Sequence, residues 1–183
     1  NWQANLPYII RGFLLVFEGA TLELEPGARV EFYDNYSGLE VQGTLKATDN
    51  VFTSFQEEPY PGSWDKISFK ETSKGSVLDN IVVQYGGCGY GKPCSPNMAG
   101  IRVENSSVDI KNSVFEKNQY AGVALINSSS VIDNCQFIDN NKGWTLTNFM
   151  NVILDTVSTI SSTSNGYELT NGSFCNSYSN ASV

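Results

Sequence analysis

The chain has 183 residues, of which 40% are hydrophobic and 16% charged, and nineteen Asp+Glu against eleven Lys+Arg leave a net charge of −8. So small a charged fraction excludes a disordered chain or a long charged helix. The acidic balance offers no basic stripe for phosphates, which excludes nucleic acid as a partner. The absence of His removes the commonest general base and the commonest zinc ligand, so neither a cofactor nor a metal is expected. No apolar run approaches the roughly 18 residues of a membrane span, and no membrane insertion is expected.

In chain order, Trp2, Leu6, Pro7 and Tyr8 precede the first strong alternation and read as a cap over residues 1–13. Leu14/Val16, Leu22/Leu24, Val30/Phe32, Leu39/Val41 and Leu45/Ala47 then alternate with polar residues, with Glu18-Gly19 and Pro26-Gly27 between them. Period-2 alternation over so few residues marks short strands with one buried face. Ile67/Phe69, Leu78 and Val83 continue the pattern up to the segment GGCGYGKPCSP, which reads as a loop insertion over residues 86–98. Its Cys88-x5-Cys94 spacing, with no His nearby, reads as a loop disulfide with Tyr90 at the tip and implies an oxidising, extracytoplasmic setting. Cys135 and Cys175 are left to pair or to stay free. The opening residue Asn1 reads as the start of a processed or excised chain.

Beyond the insertion the chain repeats itself. GIRVENSSVDIKNSVFEKN (100–118) aligns without a gap on GVALINSSSVIDNCQFIDN (122–140) at an offset of 22, with degenerate copies from Gly143 and Gly166. Three short alternating runs and three turns per repeat describe one coil of a parallel β-solenoid, which buries its inner face only by stacking on its neighbours. Coils over 14–157 give about seven in all, within a single domain spanning 1–183, and residues 158–183 form an irregular last coil and tail. Like residues should stack: Val41, Phe69, Val103, Leu125, Leu146 and Leu169 in one ladder; Leu45, Leu78, Ile110, Ile132 and Ile153 in a second; Phe52, Val83, Phe115, Phe137 and Val157 in a third. Asn80, Asn112 and Asn134, with Asp155 next, should form a structural ladder at one corner, because Asn tolerates the left-handed backbone of a sharp turn.

The runs PYIIRGFLLVFEGATLELEPGARVEF (7–32), LEVQGTLKAT (39–48) and PGSWDKISF (61–69), with the Asn-cornered coils, resemble secreted right-handed parallel β-helix proteins of bacterial and archaeal surfaces. The resemblance covers nearly all of residues 6–157. It implies an all-β, right-handed, single-stranded solenoid with an N-terminal cap, and it carries no catalytic residue across.

Two functions are weighed. A carbohydrate-active enzyme, lyase or hydrolase, needs clustered carboxylates or an Arg/Lys base. The acids here are scattered, and Arg102 stands next to the Cys insertion as a thin candidate base. Tyr33, Tyr36, Tyr60, Tyr85, Tyr90 and Tyr120 all fall in turns or the insertion. An exposed ring face beside fixed hydrogen-bonding groups is what sugar recognition uses, so Tyr85, Tyr90, Tyr120 and Arg102 are the candidate carbohydrate contacts. The expected function is therefore a non-catalytic extracellular module for adhesion, matrix or fibre assembly. Its expected partners are cell-surface glycans or, through open solenoid ends, other copies in axial association. Asn35, Asn105, Asn127, Asn171 and Asn180 stand in glycosylation sequons.

Overall fold

Alternation becomes strand wherever an inward side chain meets its equivalent one coil away. The computed structural model describes residues 1–87 and 98–147, and beyond them strand backbone at Ile153–Asp155, Ser158–Ile160, Tyr167–Thr170 and Tyr178–Ser179. The first circuit is β1 (Tyr8–Ile10), β2 (Phe13–Val16) and β3 (Thr21–Glu23). It repeats as β4 (Arg29–Phe32), β5 (Gly38–Val41) and β6 (Thr44–Thr48), then as β7 (Val51–Ser54), β8 (Ile67–Phe69) and β9 (Ser76–Asp79). Next come β10 (Val82–Gln84), β11 (Ala99–Glu104) and β12 (Val108–Lys111), then β13 (Val114–Glu116), β14 (Ala121–Ile126) and β15 (Val131–Asp133). The last circuits are β16 (Gln136–Ile138), β17 (Lys142–Thr147) and β18 (Ile153–Asp155), and β19 (Ser158–Ile160), β20 (Tyr167–Thr170) and β21 (Tyr178–Ser179).

Each strand pairs in parallel with the third strand before and after it, giving three seven-stranded sheets wrapped round one core. The first sheet runs from β1 to β19, the second from β2 to β20 and the third from β3 to β21. Among the described strands none pairs with its sequence neighbour, so the backbone ladders run between coils.

The first expected ladder holds throughout: Val41, Phe69, Val103, Leu125, Leu146 and Leu169 are in register. The other two need correction at their ends. Ala47, not Leu45, stands opposite Leu78. Leu45 pairs with Leu22, and its N–H donates to the inward hydroxyl of Ser76 at 3.0 Å. A slip of two residues preserves the alternation, so only the turns of the circuit between β6 and β9 decide the register. Leu154, not Ile153, stands opposite Ile132, and Asp155 pairs with Asp133 rather than continuing the Asn corner. Here two adjacent apolar residues leave the parity undetermined. Thr159 takes the place expected for Val157 opposite Phe137.

The ladder starts inside the stretch 1–13 read as cap, because Tyr8 pairs with Val30. Trp2 bridges to Leu24, and its ring stacks on Tyr8 with centroids 4.3 Å apart. That stacked pair takes the end of the core, and Leu6, expected to plug it, is left exposed.

Sharp corners need left-handed backbone, and Asn and Asp supply it repeatedly. Asp49, Asn80, Asn112 and Asn134 have φ between 49° and 60° at the corner from third to first sheet, and Asn105 and Asn127 do so between second and third. Asn134 Nδ2 donates to Asn112 Oδ1 at 2.8 Å, as a ladder requires. Asn112 Nδ2 instead reaches Asp79 Oδ1, and Asn80 Nδ2 reaches Asp49 Oδ1, so acids share the ladder with the amides.

Candidate functional site

Three corners run the length of the solenoid, and they differ in turn length. The corners into the third and first sheets are short. The edge between the first and second sheets carries the long turns, 55–66 and the 85–98 segment, as well as 33–37, 117–120 and 139–141. Tyr33, Tyr36, Tyr60, Tyr85 and Tyr120 all lie on this one edge. Cys88, Tyr90 and Cys94 lie outside the described residues, as do Cys175, Asn171 and Asn180.

Turn 55–66 is anchored from inside. Trp64 is fully buried, stacks on Phe32 at 4.0 Å between centroids, and donates through Nε1 to the Gln84 carbonyl at 2.7 Å. Gly86 permits this, since a Cβ there would stand 2.7 Å from the indole. The PGSWDK motif thus sets a Trp into the core and leaves Phe55 and Tyr60 outside. Asp65 is buried, with Oδ2 2.6 Å from Lys66 Nζ and Oδ1 without a hydrogen-bond partner.

The middle of the edge is held by a buried amide pair. Asn118 Oδ1 accepts the Gly86 N–H at 2.9 Å, and its Nδ2 donates to Asn140 Oδ1 at 3.0 Å. Asn140 Oδ1 also accepts the Asn118 N–H at 2.9 Å, and its Nδ2 donates to the Phe115 carbonyl at 2.7 Å. The 22-residue alignment already set these two residues one above the other. Above the clamp, Tyr85, Lys117 and Asp139 take left-handed backbone in successive coils.

The candidate contacts Tyr85 and Tyr120 are therefore not open rings. Both are half-buried, Tyr85 against the main core and Tyr120 against buried Ala99, Ala121 and Ala124. Lys117 Nζ stands 5.7 Å from the Tyr85 centroid and Lys142 Nζ 6.0 Å from that of Tyr120. Arg102 is not on this edge but on the outer face of the second sheet. Its Nη2 is 3.2 Å from Glu104 Oε1, while Lys70 Nζ is 3.4 Å from Glu104 Oε2. Its Nε is buried without a partner. On that face Arg102 stands opposite Ala124, one of the alanines that Tyr120 packs against.

The more exposed rings lie earlier on the same edge. Phe13 is 54% exposed, Tyr33 36%, Tyr36 59%, Phe55 42% and Tyr60 50%. Tyr33 and Phe55 are stacked with centroids 5.5 Å apart, and Arg11 Cζ lies 3.7 Å over the other face of Tyr33's ring. Asp34, Gln56 and Glu57 join this pair around an open hollow of about 740 Å³. Phe13 and Phe55 escape a search confined to tyrosines. The signal for Phe13 was its outward parity, one residue before the inward Leu14. Of the sequons described, Asn105 and Asn127 are exposed and bonded to each other, Nδ2 of Asn127 donating to Oδ1 of Asn105 at 2.9 Å. Asn35 is half-buried, and Ser37 of its sequon is buried and donates to Asp34 Oδ1 at 2.8 Å.

Cys135 is a free, buried thiol, and desolvation pushes its pKa up to about 12 from 9.0. Among the described residues no three Asp, Glu or Cys side chains cluster so as to hold a metal ion.

A parallel solenoid with its long turns on one edge is a β-helix scaffold presenting a lateral surface. The family model described as "Right handed beta helix region" matches residues 12–173, and the chain belongs to that family. No curated protein and no solved structure matches it.

Proposed function

We propose that the protein is a non-catalytic extracellular interaction module, a β-helix whose long-turn edge contacts carbohydrate. The single observation that carries this reading is the concentration of exposed aromatic rings on one edge. Among the described residues every exposed large apolar side chain except Val77 precedes residue 61, and five of them, Phe13, Tyr33, Tyr36, Phe55 and Tyr60, follow this edge. Rings in water beside carboxylates and amides suit sugars, which offer an apolar face and a rim of hydroxyls. Retention of the chain on immobilised polysaccharides, with no release of reducing ends or unsaturated products, is the expected result. Turnover of any polysaccharide would replace this reading with an enzyme.

The enzyme alternative has one supporting feature, the carboxylate of Glu104 set between Arg102 and Lys70 on the outer face of the second sheet. If that site works, Glu104→Gln abolishes turnover and leaves polysaccharide retention intact. The axial self-association expected from open ends is a separate proposal. The exposed Leu6 and Ile9 at the N-terminal end support it, and sedimentation at micromolar concentration tests it.

A further inference from the structure

We infer that the N-terminal end of the solenoid is a strand-accepting site. It takes an extended segment of another protein, apolar at alternate residues and carrying a carboxylate for Arg11. This goes beyond the carbohydrate reading and does not depend on it. Three observations carry it.

The first is an incomplete coil. Trp2 pairs in parallel with Leu24, its N–H donating to the Glu23 carbonyl and its carbonyl accepting the Glu25 N–H, both at 2.8 Å. It adds one strand position beyond β3, but among the described residues no strand pairs with β1 or β2 on this side. The Gly38 and Gln42 N–H groups donate to the Gly12 and Val16 carbonyls at 3.0 and 2.8 Å, so Gly12, Leu14 and Val16 face β5. Backbone groups alternate in direction along a strand, which turns those of Phe13 and Leu15 to the open end. On β1, Tyr33 N–H donates to the Ile10 carbonyl at 2.9 Å, and the same alternation turns Ile9 outward.

The second is what lines these edges. An open hollow of about 230 Å³ lies between the Trp2–Tyr8 stack and the start of β2, with Ile10, Phe13 and Leu14 among its walls. Leu14 points inward by parity and is still only half-buried, because no coil lies beneath it. Charge and proline are the usual protection of an open edge, and Phe13–Phe17, FLLVF, contains neither. A strand added along β2 would hydrogen-bond the Phe13 and Leu15 backbone and bury its alternate residues against Leu14 and Tyr8.

The third is charge. Residues 1–17 contain no Asp or Glu and a single charged side chain, Arg11, whereas all nineteen acids lie from Glu18 onward. Arg11 lines the hollow, is exposed, and has no ion pair among the described residues. Its guanidinium lies flat over Tyr33 at 3.7 Å, and a stacked guanidinium keeps its N–H fork at the rim for a carboxylate. Arg11 stands at the corner where β2 begins, so an acid at the end of an added strand meets it. The same end of a second copy would offer Arg11 no carboxylate from its first seventeen residues.

The test is calorimetry of the full chain with a probe peptide in which Val and Thr alternate between two terminal Glu residues. Either strand direction then carries a carboxylate to Arg11. The control is the same peptide with Lys in place of both Glu. The wild type should bind the acidic peptide about tenfold more tightly than the basic one, and Arg11→Gln should remove that preference. Leu15→Pro deletes an N–H that faces the open end and spares those that bond β5, so it should abolish binding without unfolding the chain. If that variant does not fold, hydrogen exchange on the wild type decides, since the acidic peptide should slow the Phe13 and Leu15 amides about tenfold. Equal binding of the two peptides, binding that leaves those amides unprotected, or no binding at all overturns the inference. Self-association of the chain alone in sedimentation, dispersed by Leu15→Pro, would make a second copy the occupant and overturn it as well.

Discussion

The first three coils and the next three turn the same corner with different exposure of their rings. In the early coils Phe13, Tyr33 and Phe55 stand outside the corner, and only Trp64 is drawn in beneath Gly86. In the middle coils the amides of Asn118 and Asn140 clamp the turn from within, and Lys117 and Lys142 stand beside half-buried tyrosines. The comparison teaches that repeat equivalence fixes where a residue stands, not whether its side chain is free to bind.

The largest effect should come from the shared core beneath both halves. Phe137 is fully buried and stacked on Phe115 at 5.0 Å, so Phe137→Ala should cost about 3–5 kcal/mol in urea unfolding. The same truncation at exposed Phe55 should cost under about 1 kcal/mol, since little buried surface is lost. Equal costs would break the claim that the two regions differ in exposure.

The clamp comes next. Asn118→Ala removes an acceptor for the Gly86 N–H and a donor to Asn140, and should cost roughly 1–3 kcal/mol. Asn134→Gly, at an exposed left-handed corner, should change stability by only a few tenths of a kcal/mol. If the order reversed, the middle coils would owe their shape to the outer amide ladder and not to the inner clamp.

Cys135 reports on the core of the middle coils through pH. Burial raises its pKa from 9.0 to about 12, so the folded state holds the proton that the unfolded chain releases first. Its contribution is fully present below pH 9.0 and is lost as pH rises from there toward about 12. Alkylation by iodoacetamide at pH 8 should be far slower in the native protein than in urea. Rapid native labelling would place the thiol outside the core. Lys117→Ala should cost under about 1 kcal/mol, because a cation near a half-buried ring contributes little. If Lys117 is what closes the Tyr85 ring, this variant should gain weak glycan retention that the wild-type middle coils lack.

Much of the architecture was legible in the chain. The 22-residue repeat, the register of the ladder from Val41 to Leu169 and the Asn corners follow from alternation and from the left-handed tolerance of Asn, both local properties. The register at Leu45 and at Ile153 was not legible, because a slip of two keeps parity and two adjacent apolar residues erase it. The candidate site was legible only as a set of turns. Tyr85, Tyr120 and Arg102 were named by residue type and neighbourhood in sequence, and the structure sends Arg102 to a sheet face.

Sequence by itself determined the solenoid, since each coil's hydrophobic period makes stacking on a similar coil the only way to bury it. The tertiary structure alone decided which rings remain open to a ligand. Exposure depends on what the neighbouring coils place against each side chain: Lys117 beside Tyr85, Arg11 over Tyr33, Trp64 beneath Gly86. Those contacts join residues about 20 to 30 positions apart in the chain, and no local pattern records them.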